Sequence, residues 1–298
     1  MDQALIVFIA VAEQQNFTRA AEQLHITQPA VSSYIQGLER ALDCKLLERT
    51  NKYVRLNKAG EAVYRHAKEI MNLYTRMENI LDDLKHTAHG PLSIGASYTF
   101  GEYILPHVIA ELRRRFPSVQ PDITIANSKV IFEQVSRRQL DAGIIEGEIR
   151  QAEHVTTLPF AEDRMEIAVS ARHPLAGHAE ITPAELEAET WIIREEGSGT
   201  REMQEKTFEQ LGIRPRSLMV FGSTQAIKES IEAGLGITLL SLWTLRKELA
   251  AGSIRLLKLP GFPLSRHFSL VMPDLGFQTK ASEVFAGMLH EHTGFPKI

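Results

Sequence analysis

Thr18-Arg-Ala-Ala-Glu-Gln-Leu-His-Ile-Thr-Gln-Pro-Ala-Val-Ser-Ser-Tyr-Ile-Gln-Gly-Leu-Glu39 reads as two helices with only His25 and Ile26 between them. Thr18 is placed to cap the first, which runs to Leu24. Thr27 is placed to cap the second, whose first turn accepts Pro29 because the amide that proline lacks has no helical partner there. In the second helix Val31, Tyr34, Ile35, Leu38 and Leu42 recur at three-or-four spacing and define a core face. Gln28, Pro29, Ala30, Ser32, Ser33 and Gln36 are left on the outer face, small and hydrogen-bonding as a helix entering a DNA major groove has to be. A short helical hairpin inside an ordinary bundle has the same spacing, but normally carries longer charged side chains on its solvent face.

The next stretch favours the nucleic-acid reading. Lys45, Arg49, Lys52, Arg55 and Lys58 fall within fourteen residues against one acid, Glu48, with Tyr53, Val54 and Leu56 among them. This is the pattern of a β-hairpin wing that brings cations to phosphates, a contact giving affinity without sequence preference.

Together these residues resemble the LysR-type transcriptional regulators. The resemblance is carried by Phe8, Ala12, Phe17, Thr18, Ala20, Ala21, Leu24, Gln28, Pro29, Ala30, Val31, Ser32, Ile35, Leu38, Glu39, Leu46, Arg49, Leu56, Ala59 and Gly60, and extends over the whole chain. Asp43 and Cys44 depart from the family's glycine-led turn, as do Leu47, Lys52 and Asn57 from its usual wing residues. The resemblance implies double-stranded DNA as a partner, read by Thr18, Arg19, Gln28, Pro29, Ala30, Ser32, Ser33, Gln36, Arg49, Lys52 and Arg55. It also implies a homotetramer built from dimers, a cytoplasmic location and RNA polymerase as a further partner.

The chain has 298 residues, enough for two or three domains, and its 44% apolar and 23% charged content is that of a soluble globular protein. Residues 1–89 hold eleven basic and eleven acidic side chains, so the remainder, 22 against 26, carries the whole net charge of −4. DNA affinity therefore has to come from a local patch rather than a global field. One cysteine, Cys44, excludes an intramolecular disulfide and a multi-cysteine metal site. The apolar run from Ala4 to Ala12 has no preceding cation and no small-residue cleavage site, so it reads as a first helix, not an export signal. No stretch has the length of a membrane span.

After the wing, Ala59, Val63, His66, Ile70, Leu73, Met77, Ile80 and Leu84 alternate steps of four and three, a heptad seam on a helix that Asn57 can cap. A seam this long predicts a dimer through Val63, Ile70, Leu73, Met77, Ile80 and Leu84, whereas a helix docked on the next domain would have a wider apolar face. His86-Thr-Ala-His-Gly-Pro91 then reads as a hinge. The expected domains are a winged helix-turn-helix head over 1–58, a linker helix over 59–89 and an effector-binding domain over 90–298.

Beyond Pro91 strands and helices alternate: strand 92–96, helix 104–116, strand 122–126, helix 128–140 and strand 142–145, an order that implies a parallel sheet covered by helices. The pattern resumes with an extended 165–170, a helix at 183–188, strand 191–193, helix 200–211, strand 217–221, helix 224–233 and strand 237–240. Strand 268–272 and helix 281–292 return to the first unit. The resemblance implies a periplasmic-binding-protein-like pair, lobe I over 91–162 and 267–298 and lobe II over 163–266. The fold class is thus α+β overall, an all-α head with its wing and linker helix followed by a two-lobe α/β domain.

In such sheets ligands sit at strand carboxyl ends, where helix N-termini present free amides. Four junctions here carry short polar residues: Ser97 and Thr99; Asn127 and Ser128; Ser198-Gly199-Thr200-Arg201; and Ser223-Thr224. Singly each is an N-cap. Jointly they point to a small-anion effector held by Ser97, Thr99, Ser128, Ser198, Thr200, Arg201 and Ser223. Glu195 and Glu196 oppose an anion if they face it and suit an amino group instead. The run Gly197 to Arg201 is similar to the branch of the family serving sulfur assimilation and carbon fixation.

No nucleophile elbow, P-loop or zinc-protease motif is present, so neither catalytic residues, nor a metal, nor a cofactor is expected. Gly234-Leu-Gly236 follows a helix and precedes a strand, the reverse of a dinucleotide fingerprint, and His290 and His292 lie on different helix faces. A solute-binding receptor would explain the two lobes but not the wing. A constitutive DNA-binding protein would explain the head but not a cleft. If the seam makes the dimer, charged residues at Ile70 and Met77 should yield monomers by light scattering, with much weaker operator binding because each half-site loses its tethered partner.

Overall fold

The computed structural model describes residues 2–49, 54–83, 88–147, 152–274 and 278–296. The chain divides into two compact units, Met1–Leu84 and Lys85–Ile298. Among the described residues no helix is long and apolar enough to cross a membrane.

The first unit begins with α1 (Asp2–Gln14), α2 (Phe17–Gln23) and α3 (Gln28–Ala41). Leu5, Phe8 and Val11 of α1 close on Ala20 and Ala21 of α2 and on Val31, Ile35 and Leu38 of α3. The N-cap of α2 is Asn16 rather than Thr18: its Oδ1 accepts from the amides of Thr18 and Arg19 at 2.8 and 3.1 Å. Thr27 caps α3 by accepting from Ala30 N, with Pro29 in the first turn. Tyr34 and Leu42, expected in the core, are exposed by 39% and 47%. The buried stripe of α3 is narrower than the apolar pattern because it runs through Val31, Ile35, Leu38 and Glu39, while Leu42 lies past the last turn.

The wing is an antiparallel pair, β1 (Leu47–Arg49) and β2 (Val54–Leu56), with Leu47 opposite Leu56. Residues 50–53, Lys52 among them, and the Arg49 side chain lie outside the described set. Asn57 caps α4 (Lys58–Asp83), its Oδ1 accepting from Gly60 N at 2.8 Å.

The helix α4 has two apolar faces. Ala59, Val63, Tyr64, Ala67 and Met71 join the core of the head. Ile70, Leu73 and Met77 are 41–48% exposed. The seam is therefore shared: Ala59 and Val63 are used inside the unit, and Ile70, Leu73 and Met77 are exposed. His66 is exposed and bonds Glu69 at 3.1 Å. The Ile80 side chain and all of Leu84 lie outside the described set.

The second unit opens with β3 (Gly90–Ala96), α5 (Tyr98–Tyr103), α6 (Leu105–Arg115), β4 (Val119–Ile125), α7 (Ser128–Ser136) and β5 (Ala142–Glu146). β3 runs parallel to both β4 and β5. Gly90 and Pro91, expected in the hinge, are the first residues of β3, and residues 84–87 lie outside the described set. The helix expected over 104–116 is α6, with Pro106 in its first turn, where a proline is accommodated; the short α5 before it was not expected.

The sixteen-residue β6 (Val155–Ser170) leaves this lobe for the second. There follow α8 (Pro183–Ala188), β7 (Thr190–Arg194), α9 (Gly199–Leu211), β8 (Ser217–Phe221), α10 (Thr224–Glu232), β9 (Thr238–Ser241), α11 (Leu242–Ala251) and β10 (Ile254–Leu256). The return strand β11 (Leu264–Pro273) pairs antiparallel with β6 from Met165 back to Val155, and α12 (Lys280–His290) closes the first lobe. Further along, β6 pairs with β9 and β10 instead, so β6 and β11 are the two crossovers between lobes. Phe100, Phe268 and Phe285 centre the first core, Trp191, Ile193 and Leu239 the second.

Removing the α2 cap should separate the two candidate caps. Asn16→Ala should cost about 1 kcal/mol in urea denaturation, and Thr18→Ala should stay within about 0.5 kcal/mol of the parent.

Candidate DNA interface and effector cleft

The outer face of α3 presents Gln28, Pro29, Ser33 and Gln36 exposed and Ala30 and Ser32 half-buried. Gln28 Nε2 donates to Ser32 Oγ at 3.0 Å across one turn, so the two polar groups lie on one stripe. Thr18 and Arg19 are exposed at the start of α2, and Arg55 is exposed on β2. A groove of about 400 Å³ between the end of α3 and the wing base is lined by Gln36, Glu39, Arg40, Asp43, Cys44 and Lys45.

Glu39 organises this region although its side chain cannot itself contact phosphate. It is buried, and accepts from Leu46 N at 3.0 Å and from Lys45 Nζ at 2.7 Å. A helix side chain thereby pairs the first amide of the wing and aims a cation. Asp43 takes φ +47° in the turn between, the left-handed region that the family's glycine would adopt without strain. On the other side Gly60 lies so close to the wing that a Cβ would meet Leu46 O at 2.1 Å.

In the second unit the four polar junctions surround the meeting of the lobes. Ser97 is buried, and its Oγ has no hydrogen-bond partner among the described residues. Thr99 Oγ1 donates to Glu146 Oε1 at 3.1 Å. Ser128 Oγ donates to Glu146 O at 3.0 Å, and Asn127 donates from Nδ2 to Glu195 Oε1 at 3.3 Å. Lys129 N donates to Gly197 O at 3.0 Å, a main-chain bond between lobes. Ser198 Oγ caps α9 by accepting from Thr200 N, and Ser223 Oγ caps α10 by accepting from Ala226 N. Gly199 is a close approach: a Cβ there would meet Glu146 O at 1.9 Å.

Arg201 is engaged along its own helix. It donates to Glu205 Oε1 at 2.6 Å and to Arg194 O at 3.1 Å. The guanidiniums at the lobe junction are two that sequence reasoning missed, Arg194 and Arg266. Arg194, fully buried, forms a two-point pair with Glu195 at 2.7 and 2.9 Å, donates to Thr224 Oγ1 and lies 4.5 Å over the Tyr98 ring. Burial acts upward on the Glu195 carboxyl, but Arg194 prevails and holds it below the usual range. Arg266 pairs with Asp163 and Glu146, both buried. Burial raises the Asp163 carboxyl above its ordinary value against the pull of Arg266. The available signal was a charged residue ending a buried strand, as Arg194 does after Trp191 to Ile193. Nothing local in sequence reveals that Arg266 faces inward.

A helix-turn-helix head with a wing, joined in one chain to a two-lobe α/β unit with polar helix N-termini at the lobe junction, is the build of a ligand-responsive transcription regulator. The chain belongs to the LysR family: residues 3–61 match the bacterial regulatory helix-turn-helix protein, lysR family, and residues 85–294 match the LysR substrate binding domain. It is 40% identical over 285 residues to the HTH-type transcriptional regulator CysL of Bacillus subtilis, covering 96% of this chain and 95% of that one. To a RuBisCO operon transcriptional regulator of Acidithiobacillus ferrooxidans it is 35% identical over 269 residues, covering 90% and 86%. The Synechocystis CcmR regulatory domain in complex with 2-PG superposes with a TM-score of 0.62 at 26% identity, covering 69% of this chain and 98% of that one. This is the sulfur-assimilation and carbon-fixation branch to which the run from Gly197 to Arg201 is similar.

The wing anchor gives a direct test. Gly60→Ala should push the wing base from α4 and weaken DNA binding, read by fluorescence anisotropy, about tenfold on specific and random duplexes alike, equivalent to ~1.4 kcal/mol.

Proposed function

We propose that this regulator binds a small oxyanionic metabolite between its two effector lobes and changes transcription in response. One observation carries the anion: the buried, unpartnered hydroxyl of Ser97 lies at a lobe junction where Thr99 of one lobe and Thr200 of the other are bonded to a single guanidinium. A buried hydroxyl left unbonded is costly, and an acceptor oxygen supplied by a ligand would remove that cost. The solved complex of the CcmR regulatory domain with 2-PG supports a small-molecule site in a relative. No cofactor is needed for such a response.

Sequence reading on DNA is assigned to Gln28, Pro29, Ser32 and Ser33, and phosphate contact to Arg49, Lys52 and Arg55. The working form is a homo-oligomer in the cytoplasm. The exposed Ile70, Leu73 and Met77 supply an apolar dimer seam, and the exposed Ile123 and Ile125 on β4 and Leu218 and Val220 on β8 supply two sheet edges for pairing dimers into a tetramer.

Two measurements test the assignment. Ser33→Ala should relax sequence choice, while Arg55→Ala should weaken all duplexes equally and lower the salt slope; an equal loss from both on every duplex refutes the division. For the cleft, Ser97→Ala should raise the melting point in buffer alone, since it removes an orphaned hydroxyl worth about 1–3 kcal/mol, yet shrink the added shift from sulfate, sulfite, thiosulfate, phosphate or 2-PG. A variant that matches the parent in both respects would exclude Ser97 from the site.

A further inference from the structure

Residue Arg266 lies on β11 directly opposite Asp163 on β6, where both crossover strands pass between the lobes. Its Nε donates to Asp163 Oδ2 at 2.7 Å, Nη1 to Thr200 Oγ1 at 3.1 Å, and Nη2 both to Thr99 Oγ1 at 3.2 Å and to Glu146 Oε2 at 3.0 Å. Thr99 and Glu146 belong to the first lobe and Thr200 to the second. Asp163 in turn accepts from Ser241, at the junction of β9 and α11. All six residues are buried.

Hydrogen-bond accounting gives the two threonines different roles. A hydroxyl has one proton and two lone pairs. Thr99 accepts from Arg266 and spends its proton on Glu146, so it has none to give a ligand. Thr200 also accepts from Arg266, but its own proton has no acceptor among the described residues. The guanidiniums are meanwhile committed to protein carboxylates: Arg266 to Asp163 and Glu146, Arg194 to Glu195, Arg201 to Glu205.

We propose that Arg266 is the positioning residue of the effector site: it ties the lobes together through Thr99 and Thr200, withdraws Thr99 from ligand binding, and leaves the Thr200 hydroxyl to donate into the cleft beside Ser97. The proposal rests on the cleft being the effector site. It replaces recognition by a free arginine with recognition by neutral hydroxyls that a buried arginine orients. The response to effector is then set by a residue that never touches it.

The test uses the full-length protein with Arg266→Lys, Thr99→Val, Thr99→Ser, Thr200→Val and Thr200→Ser. Hydrogen exchange without added ligand reads peptides over α5 and the start of α9, and titration with sulfate and with 2-PG reads affinity. Lysine keeps the charge but cannot reach both lobes, so Arg266→Lys should speed exchange about tenfold at α5 and α9 together and leave β3 and β7 protected. Thr99→Val should do the same, and Thr99→Ser should restore the parent pattern. Thr200→Val should lower affinity for the bound probe about tenfold and Thr200→Ser should restore it. Unchanged exchange in Arg266→Lys, or a change confined to one lobe, overturns the tie. Loss of affinity in Thr99→Val without altered exchange overturns the withdrawal of Thr99. If the parent binds neither probe the anion reading fails for them and the donor role of Thr200 falls with it, while exchange still decides the tie. Should Arg266→Lys not fold, the triple variant Arg266→Met, Glu146→Gln, Asp163→Asn leaves no charge at the hub and is judged by the same exchange.

Discussion

Two strands pass between the effector lobes, and the charged side chains they carry there are buried, so each is costly unless another group pairs with it. The register of β6 against β11 sets Asp163 opposite Arg266 at that waist. Stripping a guanidinium and two carboxylates of water costs several kcal/mol per ion, and an apolar cluster of the same shape is often as stable or more so. What the ionic hub supplies is geometry. Four donated bonds fix one guanidinium relative to β5, β6, α5 and α9 at once.

The head meets a related demand with another charge. A wing of two three-residue strands has too little surface to hold itself in place. Buried Glu39 takes the first wing amide, and the absence of a side chain at Gly60 lets α4 lie against Leu46. Arg55 on β2 is therefore displayed from a base fixed on both sides. In both units a buried charged residue positions neighbouring groups: Glu39 the base of the wing, Arg266 the hydroxyls of Thr99 and Thr200.

Much of this was legible in sequence because local periodicity and capping are local physics. Thr27, Asn57, Ser198 and Ser223 are caps where their patterns place them, and β8 spans 217–221 as read. Misreadings arose where a partner lies far along the chain or where two local options compete. Asn16 and Thr18 are both good caps, and only the turn after α1 decides between them. Residues 158–163 and 165–170 read as two separate extended segments because the charged run Glu162-Asp163-Arg164 shows no apolar continuity, yet its residues alternate outward and inward along one sixteen-residue β6. The helix α11 follows β9 with no turn residue between, Ser241 ending one and capping the other, so no punctuation marks it. Arg266 and Glu146, 120 positions apart, have no mutual signal in one sequence.

The junction caps have a double use. Ser97, Asn127, Ser198 and Ser223 each stand at the N-terminus of a helix at the lobe junction. Serine, threonine, asparagine and aspartate are near-equivalent as caps, differing by a few tenths of a kcal/mol to about one, but they differ completely in what they offer a ligand. Exchange within that set can retune the chemistry of the cleft while the hub beneath it stays intact. Descendants of one ancestral regulator could thus drift from one metabolite to another through single substitutions, without passing through an unstable fold.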